Sequence, residues 1–204
     1  VSSIRALKMH SGDFTVIAGR PLDERLTEEN LDAVARGAAN LEKHIENVAL
    51  FGIPCVVAIN RFTSDTPAEI EVVKERARKA GAYATCLSEV WEKGGRGGTE
   101  LAEAVVEACQ KPSKFKFLYD GKLPIKEKIQ IIATKVYGAG KVEYAALAEK
   151  KIEQFTKQGW DKLPINMAKT HLSLSHDPNL KGRPRGFRVP IRDIRPAIGA
   201  GFLY

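Results

Sequence analysis

The sequence predicts an α/β fold, an open and mostly parallel sheet with flanking helices, on three observations. Helical and strand periodicities alternate through the first half in the order helix, strand, helix, strand, helix, the pattern of a sheet built by crossover connections. The segment Pro54-Cys55-Val56-Val57-Ala58-Ile59 is a nearly unbroken apolar run of strand length, as expected of a parallel strand buried on both faces. With 204 residues, 44% of them apolar and 28% charged, the chain can bury one sizeable core or two small lobes. We place the lobes at residues 1–111 and 112–204.

Each element has its own signal. Thr27 is placed to cap a helix from Glu28, whose apolar positions Leu31, Val34, Ala38, Leu41, Ile45 and Val48 recur at steps of three and four before Gly52 stops it. The apolar run then ends at Asn60. Thr66-Pro67 opens a second helix, because proline is tolerated in a first turn, and Ile70, Val73, Ala77 and Ala80 form its inner face before Gly81. Ala82 to Leu87 reads as the next strand, and Leu101, Ala104, Val105 and Ala108 mark a third helix. Beyond Lys111-Pro112 the pattern predicts a strand at Phe115 to Tyr119 and helices near Lys126 to Tyr137 and Tyr144 to Gln158, stopped by Gly138 and Gly159. Leu163 to Ala168 is a further strand candidate, and Phe187 to Ile194 alternates as a strand near a sheet edge does.

Composition excludes several classes. No stretch approaches the roughly 20 apolar residues of a bilayer span, and the N-terminus lacks the basic-then-apolar plan of a signal peptide. We expect a chain cut at both ends, since it opens on Val1 without an initiator Met and stops in the apolar run Gly201-Phe202-Leu203-Tyr204. Cys55, Cys86 and Cys109 lack paired spacings and read as buried free thiols, which suits a reducing compartment. His10, His44, His171 and His176 stand in no metal-ligand motif, so no bound transition metal is expected. The net charge of +7 arises from lysines and arginines mostly interleaved with acids on helices, which argues against a nucleic-acid partner. One exception is the stretch with Arg183, Arg185, Arg188, Arg192 and Arg195, answered within it by Asp193 and suited to meet an anion.

Ligands of open α/β sheets bind beyond the carboxyl ends of the strands, which makes those ends the first candidates for a site. Asn60-Arg61-Phe62 follows one strand, Leu87 to Gly98 another, and Lys169-Thr170-His171 the strand candidate at Leu163. Phe62 and Trp91 lie among polar residues where no periodicity demands a core aromatic; either they hold a flat heteroaromatic ring, or each covers a local apolar patch. The glycines at 94, 95, 97 and 98 invite a phosphate-loop reading, yet they lack P-loop spacing and its Lys-Ser/Thr ending, and read better as a flexible connector. Lys169, Thr170 and His171 offer a cation, a hydroxyl and an imidazole for an anion or a proton transfer; a hydrogen-bonded loop explains them equally well. No Ser-His-Asp or Cys-His arrangement emerges.

Several blocks resemble one family almost end to end. Arg5-Ala6-Leu7-Lys8-Met9-His10, Asn40 to Asn47, Val56 to Phe62, Leu163 to Ser175, Pro190 to Arg195 and Gly199-Ala200-Gly201-Phe202 are similar to formate-tetrahydrofolate ligase. The resemblance implies a P-loop-NTPase-like fold without its P-loop segment, and a reaction joining formate to tetrahydrofolate through formyl phosphate, with ATP and Mg2+ as co-substrate and no nucleic-acid or membrane partner. It implies that the pterin stacks between Phe62 and Trp91 with Leu87 lining the pocket; Asn60 and Arg61, by their place at the strand end, are candidates for anion or polar contacts. Catalytic groups would lie upstream, so the piece alone is expected to be inactive. Thr63 departs from the proline many members carry after the Asn-Arg-Phe block. The histidine-bearing wording of Lys169 to Ser175 leans toward eukaryotic multifunctional C1-tetrahydrofolate synthases, which implies a cytoplasmic or mitochondrial location and a homo-oligomeric complete enzyme. A non-catalytic folate-binding or basic interaction module is the alternative.

Overall fold

The computed structural model describes residues 1–16, 19–168 and 173–204 of the chain. It divides into two compact units, Val1–Lys116 and Phe117–Tyr204. The architecture is α/β, with short parallel sheets and helices in both.

In the first unit, helix α1 (Ile4–His10) is capped by the Ser3 hydroxyl, which accepts the Ala6 N–H at 3.3 Å. Helix α2 (Leu31–Ala49) begins later than the sequence suggested. Thr27 instead closes a 3-10 turn over Glu24–Leu26, donating its hydroxyl to the Glu24 carbonyl at 2.7 Å, and Asn30 caps α2 by accepting the Ala33 N–H at 2.9 Å. A threonine already engaged backward cannot cap forward. Leu31 is accordingly exposed, whereas Val34, Ala38, Leu41 and Ile45 are buried. Gly37 lies where α2 crosses α1, so close that a Cβ there would run into the Leu7 carbonyl.

Strands β1 (Val56–Asn60) and β2 (Ala84–Ser88) pair in parallel, with Val56 opposite Ala84 and Asn60 opposite Ser88. On the other side of β1, the Ser2 N–H donates to the Ala58 carbonyl at 2.8 Å and the Asn60 N–H to the Ser2 carbonyl at 2.7 Å. Helix α3 (Pro67–Lys79) crosses between the strands and opens with a capping box, in which Thr66 and Glu69 each accept the other's backbone N–H. Then come the single-turn helix α4 (Val90–Lys93), a 3-10 turn over Gly94–Gly98 and helix α5 (Thr99–Cys109). The core joins Ile4 and Leu7 of α1 to Val34 and Ile45 of α2, Val57 and Ile59 of β1, and Val73 and Ala77 of α3.

Two further expectations fail in this unit. Cys109 is exposed, because α5 buries Ala104 and Ala108 and leaves its last residue outside that stripe; only Cys86 is fully buried and Cys55 is half-buried. Gly94–Gly98 is folded into a tight turn rather than a free connector.

In the second unit, helix α6 (Ile125–Ile131) widens into a π-helical segment over Ile132–Tyr137 and stops at Gly138, whose φ of 83° suits glycine. Strand β3 (Lys141–Tyr144) pairs in parallel with β4 (Arg188–Ile191), and helix α7 (Ala146–Lys157) follows β3. Tyr144 therefore belongs to a strand and not to the helix. The short strands β5 (Pro196–Ala197) and β6 (Phe202–Leu203) pair antiparallel. From Leu163 to Ala168 the chain makes only one bridge, Ile165 to Leu203, because the partner is two residues long and Pro164 has no N–H. No strand forms at Phe115 to Tyr119, where Phe115 and Phe117 are exposed. Ile125, Ile129, Ile152, Phe155 and Leu203 make the core. Beside it the buried Lys128 ammonium donates to the Asp161 and Leu163 carbonyls at 2.6 and 3.1 Å.

Candidate functional site

Because Asn60 and Ser88 are register partners, the two strands of the first unit end side by side, and the chain leaving each is brought to one corner. The Arg61 N–H prolongs the pairing by donating to the Ser88 carbonyl at 3.1 Å. Beyond it Arg61 forms an ion pair with Glu89, which also receives Lys93 at 2.6 Å. Glu89 thus ties the β1 exit to the first turn of α4. The two cations, Lys93 first and Arg61 second, hold its carboxyl below the usual range.

Phe62 is the next residue. Its N–H donates to the Asp65 carboxylate at 2.8 Å while the Asp65 N–H returns to the Phe62 carbonyl at 3.0 Å, which closes the loop into a turn just before α3. The Arg5 guanidinium of α1 lies over the ring, 3.9 Å from its centroid. Phe62 remains 36% exposed, so the ring is not absorbed by the core. Burial pushes the Asp65 carboxyl above its usual range, and the neighbouring Glu69 charge pushes the same way against the Phe62 N–H.

Under this turn sits a buried ion pair. Lys8 of α1 meets Glu69 of α3 at 2.6 Å, with the two side chains 1% and 0% exposed. Lys8 also donates to the Leu26 and Glu28 carbonyls at 3.3 and 2.5 Å, and Glu69 accepts the Asn30 N–H at 2.9 Å. Every strong donor and acceptor of the pair is used, as a buried charge requires. Burial pushes the Glu69 carboxyl up, but Lys8 and the N–H groups of Asn30 and Thr66 outweigh it and leave it lowered.

Trp91 stands on α4 and is 87% exposed. Leu87 on β2 is half-buried against the core, and Asn60 is half-buried at the end of β1. The structure thus brings Asn60, Arg61, Phe62, Leu87 and Trp91 to adjacent strand exits of one unit. Lys169, Thr170 and His171 lie outside the described residues. The serines after them form a hydrogen-bonded turn: Ser173 and Ser175 are buried with their hydroxyls 3.1 Å apart. In the arginine-rich stretch, Asp193 takes Arg195 at 3.1 Å and Lys151 at 2.5 Å, and Glu143 from β3 adds a second acid 3.5 Å from Arg188. A cavity of about 380 Å3 lies in the second unit, lined by Tyr137, Met167, His176, Ile191 and Arg192 among others.

Sequence reading missed Arg5, Lys8, Asp65, Glu69 and Glu89. Arg5 and Lys8 stand three apart on α1 and so share one of its faces. Among the described residues no group of three His, Cys, Asp or Glu side chains is placed to hold a metal, and no helix is long and apolar enough to cross a membrane.

An α/β unit with two aromatics and a charged clamp at adjacent parallel-strand exits has the arrangement in which open α/β sheets place their ligand sites. The family model for formate–tetrahydrofolate ligase matches residues 1–204, and the chain belongs to that family. Its relatives include the formate–tetrahydrofolate ligase of Desulforamulus reducens, 55% identical over 99% of this chain and 36% of the relative. The cytoplasmic C-1-tetrahydrofolate synthase of Homo sapiens is 52% identical over the whole chain and 22% of the relative, and the mitochondrial C-1-tetrahydrofolate synthase of Saccharomyces cerevisiae is 53% identical over 21% of the relative. The chain therefore spans about a third of the bacterial ligase and about a fifth of the synthases.

Proposed function

We propose that this chain supplies the folate-binding face of a ligase that forms 10-formyltetrahydrofolate from formate and tetrahydrofolate with consumption of ATP. The observation that carries the reading is Phe62, a partly exposed aromatic locked by backbone bonds at a strand exit, with Trp91 on the neighbouring exit. A pterin stacked between them loses water from both faces, and Leu87 offers an apolar wall. Asn60 and Arg61 are the nearest polar side chains along the chain for the edge of that ring. The contribution of these residues is to bind and orient the acceptor whose N10 takes the formyl group from formyl phosphate. Lys169, Thr170 and His171 remain candidates for the anionic part of a substrate.

ATP and Mg2+ do not suit the residues present. The sequence has no glycine loop ending in Lys-Ser/Thr, and the Gly94–Gly98 turn packs against the backbone of Glu89, whose carboxylate would oppose a phosphate. We assign them to the part of the relatives that this chain does not span, in keeping with the family's P-loop-like fold. The relatives' names favour the cytoplasm, with mitochondria as the second location, and we take the complete enzyme to be a homo-oligomer.

Titrating the chain with tetrahydrofolate while following tryptophan fluorescence tests the reading. Saturable binding that weakens in Phe62→Ala and Trp91→Ala is expected. Steeply salt-dependent binding of duplex DNA without any folate response would replace it with a basic interaction surface.

A further inference from the structure

Arg5 has no part in the folate face described so far, yet it touches its central ring. Its guanidinium is 3.9 Å from the Phe62 centroid. At that distance it covers one face and shields it from water, and a planar, weakly hydrated guanidinium suits the role better than an ammonium would. Its place is fixed from two sides: Ser2, three residues before it, is bonded into β1, and Lys8, three residues after it, is anchored in the buried pair with Glu69. The charge set against Arg5 is Asp65, the same carboxylate that accepts the Phe62 N–H, and its attraction keeps the guanidinium near the Phe62 turn.

We infer that Arg5 is a positioning residue for tetrahydrofolate: it occupies one face of Phe62, holds the ring's tilt, and leaves only the opposite face for the pterin. This inference rests on the folate reading of Phe62. It makes the stack asymmetric, with guanidinium, phenyl ring and pterin in that order.

The test uses the whole chain with Arg5→Met, which keeps the length of the stem, and Arg5→Lys, which keeps the charge without the plane. Tetrahydrofolate affinity should fall about three- to tenfold in Arg5→Met and less in Arg5→Lys, with melting temperatures within about 3 °C of the parent. The NMR signal of the Arg5 Nε–H, moved upfield by the Phe62 ring current, should stay upfield at tetrahydrofolate saturation. Unchanged or tighter binding in both variants, or loss of the upfield shift on saturation, would overturn the inference, since the guanidinium would then be idle or sitting where the ligand goes. If Phe62→Ala leaves folate binding unaltered, the folate reading itself fails, a result separate from any obtained with Arg5.

Discussion

Phe62 and Trp91 occupy equivalent positions, each just past the end of a parallel strand, yet the molecule treats them oppositely. Phe62 is bonded through its backbone to Asp65, covered by Arg5 and underlain by the Lys8–Glu69 pair. Trp91 sits on a single helical turn, 87% exposed, tied down only indirectly through Glu89. On the proposed folate reading, one half of the site is built before a ligand arrives and the other is available to be ordered by it. A fixed platform lowers the cost of binding, while an exposed indole gains most from being covered.

The largest expected effect breaks the platform. Lys8→Met leaves Glu69 buried without its cation and should cost about 3–5 kcal/mol in urea unfolding, with the double change Lys8→Met and Glu69→Gln recovering a large part. Next come the aromatics themselves. Trp91→Ala should weaken tetrahydrofolate binding by about tenfold while leaving stability within about 0.5 kcal/mol. Phe62→Ala should weaken binding similarly but also cost roughly 1 kcal/mol of stability. If both variants lose stability equally, the asymmetry is wrong.

Acid titration sharpens the same contrast inside the platform. The raised Asp65 carboxyl binds its proton more readily in the folded state, so its contribution to stability declines as pH rises from 3.8 through its folded value. Glu69 is lowered, so its contribution is present above 4.5 and is lost as pH falls below that through its folded value. Urea midpoints measured from about pH 3 to pH 7 should therefore give Asp65→Asn and Glu69→Gln opposite slopes relative to the parent. The smallest effect belongs to the clamp. Glu89→Gln should change stability by about 0.5 kcal/mol or less, as partly exposed pairs do, and its influence on folate affinity should vanish in the Trp91→Ala background if the clamp acts through α4.

Local signals made much of the frame legible. The apolar run of β1 and the Thr66-Pro67 start of α3 are written in consecutive residues, and both form where expected. Trouble arose where a residue had two local uses. Thr27 could cap forward or close a turn behind it, and Tyr144 fitted a helical face as well as a strand. The strand expected at Phe115 to Tyr119 had β-favouring residues, but the segment makes no ladder with another strand among the described residues, and ladders are set by the fold rather than the segment. Phe62 and Trp91 could be singled out because exposed-looking aromatics at strand ends are rare enough to notice, whereas Leu87 came only with the family resemblance. Arg5 and Glu69 could not, since each acts across a long loop on a group that its own neighbourhood does not mention.

The turn at Gly94–Gly98 carries a lesson about tolerance to change. Written out, its four glycines look interchangeable. In space a Cβ at Gly95 would meet nothing, one at Gly98 would press on Val90, and one at Gly97 would strike the Glu89 backbone at the root of α4. A library randomised across this turn should therefore recover almost any residue at 95, a narrow set at 98 and glycine alone at 97. Gly94, at a φ of 58°, resists any side chain through its backbone alone, so the four letters carry four different tolerances.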